Sequence, residues 1–137
     1  MKDELTQKQR NDLIDYRLAR AEETLEEAAY NAKGGYFNTA VNRLYYAAYY
    51  AASALMLASG LKTTSHAGVK TQLSLHFIKE GKLSVDHGKT FMLLFENRQS
   101  GDYEDFVYCD LELYNQLLPK TTCFIAAIRQ LIENENK

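Results

Sequence analysis

The pattern of apolar positions along the chain predicts long helices and no strands. In the first quarter of the chain, apolar residues recur at steps of three and four, the spacing of one face of an α-helix: Ile14, Leu18, Ala21, Leu25, Ala28 and Ala32. Four glutamates between them form a solvated face. We expect a first helix over about residues 7–33, ended by the Gly34–Gly35 pair, because glycine tolerates the left-handed conformation that follows many helices.

A second helix is expected over about residues 37–59, with Asn38 as its N-cap. Its apolar surface is wider than one stripe, so the helix is either central in a bundle or partly covered by another subunit. Part of that width comes from four tyrosines: Tyr45, Tyr46, Tyr49 and Tyr50. These rings are interpreted as core packing, as a protein interface, or as a platform for base stacking.

Two shorter helices follow. Ser65 is a candidate N-cap for a third helix over about residues 66–80, and Ser84 for a fourth that runs to about residues 98–100. Gly101 then lies where a C-terminal glycine cap belongs.

The fifth helix is expected over about residues 110–133, where Pro119 should kink or split it because proline lacks the backbone N–H. Short connections favour antiparallel neighbours. The sequence therefore predicts an all-α fold, an up-and-down antiparallel bundle of four to five helices. We expect one domain over residues 1–137, with frayed ends at about residues 1–6 and 134–137.

Composition narrows the possible functions. The 137 residues include 16 basic and 18 acidic side chains, a net charge of −2, which argues against a dedicated DNA-binding protein but leaves room for a small phosphate site. Cys109 and Cys123 lack metal-ligand spacing and fit a cytosolic protein. The charged N-terminus has no signal-peptide core, and no run approaches the ~18 apolar residues of a membrane span. We expect a cytoplasmic protein without a membrane contact.

No motif for a cofactor or metal is present. The sequence lacks the glycine-rich nucleotide loops and the paired cysteine or histidine patterns of metal sites. His66, His76 and His87 have no carboxylate at the doubled helical offset that di-iron bundles use. We expect neither a metal nor a cofactor.

The stretch ENRQSGDYEDF at residues 96–106 carries the candidate chemistry. On one interpretation, Arg98 only offsets the partial negative charge of a helix end, a stabilisation of roughly 0.3–1 kcal/mol when exposed. On the other, the chain turns back after Gly101, so that Asp102 and Tyr103 approach Arg98. An arginine offers a planar, permanently charged fork for a phosphate.

Three stretches of the chain resemble the HEPN superfamily, over about residues 7–133. They are NRLYYA at residues 42–47, TSHAG at residues 64–68 and RQSGDYEDF at residues 98–106. The resemblance implies a helical bundle that is usually a homodimer. Many members are metal-independent ribonucleases, toxins among them, whose signature is an arginine followed after four to six residues by a histidine. Many are encoded beside a small nucleotidyltransferase that acts as antitoxin, in some cases by adding AMP to a tyrosine near the signature.

Arg98 matches the signature arginine, and its implied role is to hold the scissile phosphate. The chain departs from the signature at Tyr103, where active members carry histidine. Tyrosine has a reference pKa of about 10, so its basic form is present at roughly one part in a thousand at pH 7. Tyr103 is therefore a poor general base. His66 is interpreted as a residue that caps or packs at the start of the third helix.

Three hypotheses follow. The first is a homodimeric module with a degenerate ribonuclease motif that binds RNA, a nucleotide or a nucleotidyltransferase through a cleft at Arg98 and Tyr103, as part of a toxin–antitoxin type system. The second is an active endoribonuclease toxin with an Arg-x4-Tyr site, in which Arg98 holds the phosphate and Asp102, Tyr103 or His66 transfers a proton. The third is an interaction protein in which Arg98 only closes a helix and the tyrosines Tyr49 and Tyr50 mediate dimerisation. In the dimer, part of the second or fourth helix is expected at the two-fold contact.

Overall fold

The structure is a computed structural model that describes residues 5–63, 65–98 and 108–135. Those ranges contain five α-helices and no strand. The helices are α1 (Gln7–Lys33), α2 (Phe37–Ala58), α3 (His66–Leu73), α4 (Val85–Asn97) and α5 (Leu111–Glu135). The predicted all-α bundle is confirmed.

The first helix begins and ends as its sequence predicts. At its start, the Thr6 hydroxyl accepts a hydrogen bond from the Gln9 backbone N–H at 3.0 Å, and the Gln9 side chain accepts one from the Thr6 N–H at 2.9 Å. This reciprocal pair satisfies two of the donors that a helix N-terminus leaves free. At the other end, Gly35 has a φ of +86°, a conformation that side chains with a Cβ rarely adopt.

The second helix is the central element of the bundle. It packs against α1 and α5 over most of its length and also against α3 and α4. Six alanines on α2 are completely buried: Ala40, Ala47, Ala48, Ala51, Ala52 and Ala54. Their small side chains let the neighbouring helix backbones approach closely. The wide apolar surface of α2 is therefore covered within one chain.

The predicted N-cap of this helix is wrong. Asn38 lies inside the first turn of α2, and the N-cap position belongs to Tyr36, whose side chain makes no capping hydrogen bond. The Asn38 side chain instead accepts a hydrogen bond from the Cys109 backbone N–H at 2.8 Å. A tertiary contact thus uses the oxygen that the local pattern assigned to a cap, and it ties the segment before α5 to the start of α2.

The third helix is shorter than predicted and changes its winding. After Leu73 it continues as a π-helical segment over Ser74–Ile78. The predicted caps are confirmed, since the Ser65 hydroxyl accepts a hydrogen bond from the Gly68 N–H at 2.9 Å and the Ser84 hydroxyl accepts one from the His87 N–H at 3.2 Å.

The fourth helix ends before the predicted glycine cap. Its last residue is Asn97, and Arg98 follows in an extended conformation with φ −68° and ψ 146°. Arg98 is therefore the C-cap residue rather than part of the last turn. Gly101, Asp102 and Tyr103 lie outside the described residues.

The fifth helix is continuous across Pro119, so the predicted split does not occur. Proline removes the N–H that would bond to the carbonyl four residues earlier, at Asn115. Both Pro119 and Asn115 are exposed, so water can hydrate the carbonyl that has lost its partner. In the part of the chain that the structure describes, no helix combines the length and the apolar character needed to cross a lipid bilayer.

Candidate functional site

Arg98 is held against aromatic rings at the end of α4. Its guanidinium carbon lies 3.9 Å from the centre of the Phe95 ring and 5.7 Å from that of the Tyr45 ring. Its Nη1 donates a hydrogen bond to the Phe95 carbonyl at 2.7 Å, which neutralises part of the helix C-terminus. Most of the five N–H donors of this guanidinium remain without a partner among the described residues. Arg98 is therefore half-buried and oriented, yet still able to bind an anion.

The Tyr45 ring connects this arginine to a histidine. Tyr45 is completely buried, and its hydroxyl lies 2.6 Å from Nδ1 of His66. The His66 ring stacks on Tyr49, with 4.1 Å between the ring centres and an interplanar angle of 19°. The imidazole is thus fixed by one hydrogen bond and one stacking contact. We refer to Arg98, Tyr45 and His66 as the Arg98–His66 cluster.

Burial and charge determine the protonation states in the cluster. Burial raises the pKa of Tyr45 well above its ordinary value, although the nearby Arg98 charge opposes the rise. Burial lowers the pKa of His66, and the Arg98 charge lowers it further. The imidazole is therefore neutral at pH 7. A neutral phenol that donates its proton to Nδ1 leaves the imidazole proton on Nε2, the nitrogen free to meet a ligand.

The structure places Arg98 and His66, which the second hypothesis combined, on either side of the Tyr45 ring. His66 does pack at the start of α3, as interpreted from the sequence, but it also lies within the electrostatic reach of Arg98. The other two site candidates, Asp102 and Tyr103, belong to the segment outside the described residues. Tyr45 is the residue that sequence reasoning missed. The available signal was that Tyr45 and His66 both belong to the stretches that carry the family resemblance.

Arginines cover the outer tyrosines of α2. The Arg43 guanidinium lies 4.9 Å from the centre of the Tyr46 ring, and that of Arg20 lies 5.2 Å from the centre of the Tyr50 ring. Both arginines pair with Glu27, at 3.6 Å for Arg20 and 3.4 Å for Arg43. Arg20 also pairs with Glu23, at 2.9 Å. Two carboxylates thus balance the two guanidinium charges, so these cation–π pairs stabilise the surface between α1 and α2 rather than form an anion site.

The chemistry of the site depends on cations and aromatic rings. Across residues 5–63, 65–98 and 108–135, no group of three or more histidine, cysteine or acidic side chains is arranged to hold a metal ion. The arrangement suits a phosphate ester, with charge supplied by Arg98 and a hydrogen-bond donor by His66.

Comparison with known proteins places these features in a family context. Residues 14–131 match the sequence profile of the HEPN domain. A UPF0332 protein of Thermotoga maritima is 38% identical over 122 residues, which cover 89% of this chain and 92% of that protein. A protein of Methanocaldococcus jannaschii, named as a candidate toxin, is 28% identical over 121 residues, covering 87% of this chain and 81% of its own.

A solved structure shares the fold. The crystal structure of an archaeal HEPN homologue superposes with a TM-score of 0.71 at 18% sequence identity, covering 87% of this chain and 97% of the homologue. At this identity the likeness concerns the helical arrangement alone.

The lowered pKa of His66 predicts a pH-dependent free energy of unfolding. As the pH falls below 6.5, the ordinary pKa of histidine, the unfolded chain binds a proton before the folded chain does, so stability is lost. Urea unfolding between about pH 5 and about pH 7.5 measures this slope. His66→Gln should flatten it, whereas His76→Gln, at an exposed histidine of the π-helical segment, should not. Equal slopes in wild type and His66→Gln contradict the prediction.

Proposed function

The chain belongs to the HEPN domain family, and from this premise we propose that it binds single-stranded RNA at the Arg98–His66 cluster, as the toxin-type member of a two-protein system. The observation that carries the proposal is the guanidinium of Arg98, which is stacked on Phe95 and has most of its donors unbonded among the described residues. In this proposal, Arg98 contacts a phosphate of the strand and His66 donates a hydrogen bond to it.

Physical chemistry favours RNA as the ligand of such a site. Arginine binds phosphate oxygens through two parallel N–H bonds, which are roughly twice as strong as bonds between neutral groups. Single-stranded RNA is recognised by cations along its backbone and by rings on which its bases stack. Because the net charge of the chain is −2, attraction of the strand depends on this local cluster rather than on a field of the whole protein.

Binding without cleavage is the form of the proposal that we favour. A phenol at position 103 is a poor proton acceptor at neutral pH, and residue 103 lies outside the described residues. His66 forms its Nδ1 hydrogen bond with a phenol that burial keeps neutral. While Nδ1 accepts the proton of that phenol, Nε2 carries the imidazole proton, so this nitrogen can donate a hydrogen bond but cannot accept the proton of a 2′-hydroxyl.

Replacement of Arg98 tests the proposal directly. Fluorescence anisotropy with a labelled uridine-rich single strand should show an affinity about tenfold or more lower in Arg98→Ala, because a charge-assisted phosphate contact is lost. Arg98→Lys should recover part of it, since lysine keeps the charge but not the planar fork. The matched control is Arg129→Ala, at an arginine that pairs with Glu22 at 3.2 Å between α5 and α1. Absence of RNA binding by the wild type, or an unchanged affinity in Arg98→Ala, refutes the proposal.

A second function, metal-independent RNA cleavage, is favoured by one observation: a neutral imidazole lies within the electrostatic reach of the Arg98 guanidinium. In that reaction the 2′-hydroxyl attacks the adjacent phosphorus and the bond to the 5′-oxygen breaks, which leaves a 2′,3′-cyclic phosphate. It requires the His66 tautomer in which Nδ1–H donates to the Tyr45 hydroxyl oxygen, so that Nε2 accepts the proton of the 2′-hydroxyl and passes it to the 5′-oxygen. The expected result is cleavage in the presence of a metal chelator that is lost in both Arg98→Ala and His66→Ala. Gel analysis of a labelled RNA measures it. If the RNA stays intact at protein concentrations that saturate binding, the chain binds RNA without cleaving it.

The partners proposed for the chain are a second copy of itself and a nucleotidyltransferase. The outer face of α4 exposes three apolar side chains, with Val85 at 62%, Met92 at 38% and Leu93 at 41% exposure, and we place the two-fold contact there. Sedimentation at micromolar concentration should show a dimer for the wild type and a monomer for Met92→Asp. A wild-type monomer contradicts this proposal.

The nucleotidyltransferase stays a prediction. Co-purification of the chain with the product of the neighbouring gene is the measurement that tests it.

A further inference from the structure

A groove adjoins the Arg98–His66 cluster on the side of α1. It lies between α1, the C-terminal half of α2, the connection at residues 61–63 and α3, and its volume is about 320 Å³. Its polar wall consists of Arg17, Tyr49, Ser53, Lys62 and Thr63, and its apolar wall of Met56, Leu57, Leu61 and Val69. This volume is at the lower end of the range of small-molecule sites, which suits one nucleotide and nothing much larger.

The cation on the polar wall is available to a ligand. Nη1 of Arg17 donates to the Ser53 carbonyl at 3.3 Å, a long hydrogen bond that leaves its other donors free. Within the described ranges Arg17 has no carboxylate within ion-pair distance, in contrast to Arg20 and Arg43, which share Glu27. Lys62 adds a second, exposed cation at the rim.

Tyr49 joins the groove to the cluster. One part of its ring lines the groove, and the ring stacks on His66 with 4.1 Å between the centres. Burial raises the pKa of Tyr49 and the charge of Arg17 opposes that rise, which places Arg17 close to this phenol. The charge of Arg98 acts on Tyr45 and His66 instead. Arg17 thus acts on one ring of the stacked pair, Tyr49, and Arg98 on the other, His66.

We propose that this groove is a second nucleotide subsite, in which Arg17 contacts the phosphate next to the one held by Arg98. The inference rests on the proposed RNA binding and extends it from one phosphate to two. A nucleic-acid strand carries one negative charge per nucleotide, so a continuous strand that meets Arg98 presents a neighbouring phosphate to the groove. The apolar wall offers dry surface to the sugar or the base, and Lys62 adds attraction at the rim.

A length series of RNA probes tests the subsite. The probes are 5′-phosphorylated uridylates of one to four residues, titrated by calorimetry into the whole chain. For the wild type, affinity should rise when the probe lengthens from one residue to two. In Arg17→Ala the gain in affinity from one residue to two should be about tenfold smaller. The slope of log affinity against log salt should be less steep by about one, as expected when one phosphate contact is lost. Affinity for the single-residue probe should stay unchanged in Arg17→Ala, because Arg98 still holds its phosphate.

Arg10 provides a matched control on the same helix. Its Nη1 donates to the Leu57 carbonyl at 3.1 Å, a bond of the same kind as that of Arg17, but Arg10 does not line the groove. Arg10→Ala removes the same charge and should keep the affinity gain of the longer probes. Lys62→Ala, a change at an exposed side chain with little effect on folding, should lower that gain in the same direction as Arg17→Ala but by less.

The outcomes separate this inference from the proposed function. If Arg98→Ala loses RNA binding while Arg17→Ala and Lys62→Ala keep the full gain with probe length, the subsite is wrong and the proposed function stands. If Arg10→Ala weakens the longer probes as much as Arg17→Ala does, the effect is general charge attraction and the subsite is also wrong. If the wild type binds none of the probes or longer single strands, both proposals fail.

Discussion

The hydroxyl of Tyr45 needs a partner inside the bundle, because its ring is completely buried and an unpaired buried hydroxyl costs about 1–3 kcal/mol. Nδ1 of His66 supplies that partner at 2.6 Å. The bond fixes the first turn of α3 against the middle of α2, and it orients the imidazole. The Tyr45 ring also lies within cation–π distance of Arg98, at the end of α4. Three helices thus contribute to one polar cluster that one buried phenol organises.

The alanines of α2 make this arrangement possible. A central helix with large side chains would hold its neighbours at the usual separation of 8–10 Å or more. Alanines on the buried faces of α2 let α1 and α5 approach closely, and on the side of α4 the ring centres of Tyr45 and Phe91 lie 5.8 Å apart. The Tyr45 ring also lies near the rings of Tyr46, Tyr49, His66 and Phe95, so this buried phenol is surrounded by aromatic side chains.

The arginines of the chain differ in function because of their partners. Arg20 and Arg43 lie over tyrosine rings and pair with Glu23 and Glu27, so their charge is satisfied within the protein. Arg98 and Arg17 have aromatic or backbone neighbours but no carboxylate among the described residues. An unpaired, half-buried cation is more strongly attracted to an external anion than an exposed one, because less water screens its charge. This contrast, and not the overall charge, distinguishes the proposed binding surface from the rest of the molecule.

Local patterns alone were sufficient for the helices. The three- and four-residue spacing predicted α1 within its observed bounds, since Ile14, Leu18, Ala21 and Ala28 are buried, and the serine caps of α3 and α4 depend only on residues three positions apart. Two of the local predictions that were wrong, those at Asn38 and Pro119, involve a distant partner or solvent. The Asn38 side chain accepts a hydrogen bond from the Cys109 backbone instead of capping α2. Pro119 is exposed, so water can replace the hydrogen bond that it removes from α5.

The sequence by itself singled out Arg98 and the family, because a charged side chain at a helix end and a set of short motifs can be read without coordinates. The tertiary structure alone decided that Tyr45 meets His66 across 21 positions of the chain, and that Arg17 of α1 lies beside Tyr49 of α2. Helix periodicity specifies which side of a helix is buried, but it does not specify which neighbour covers that side. That choice depends on how the small and large side chains of several helices fit together at once.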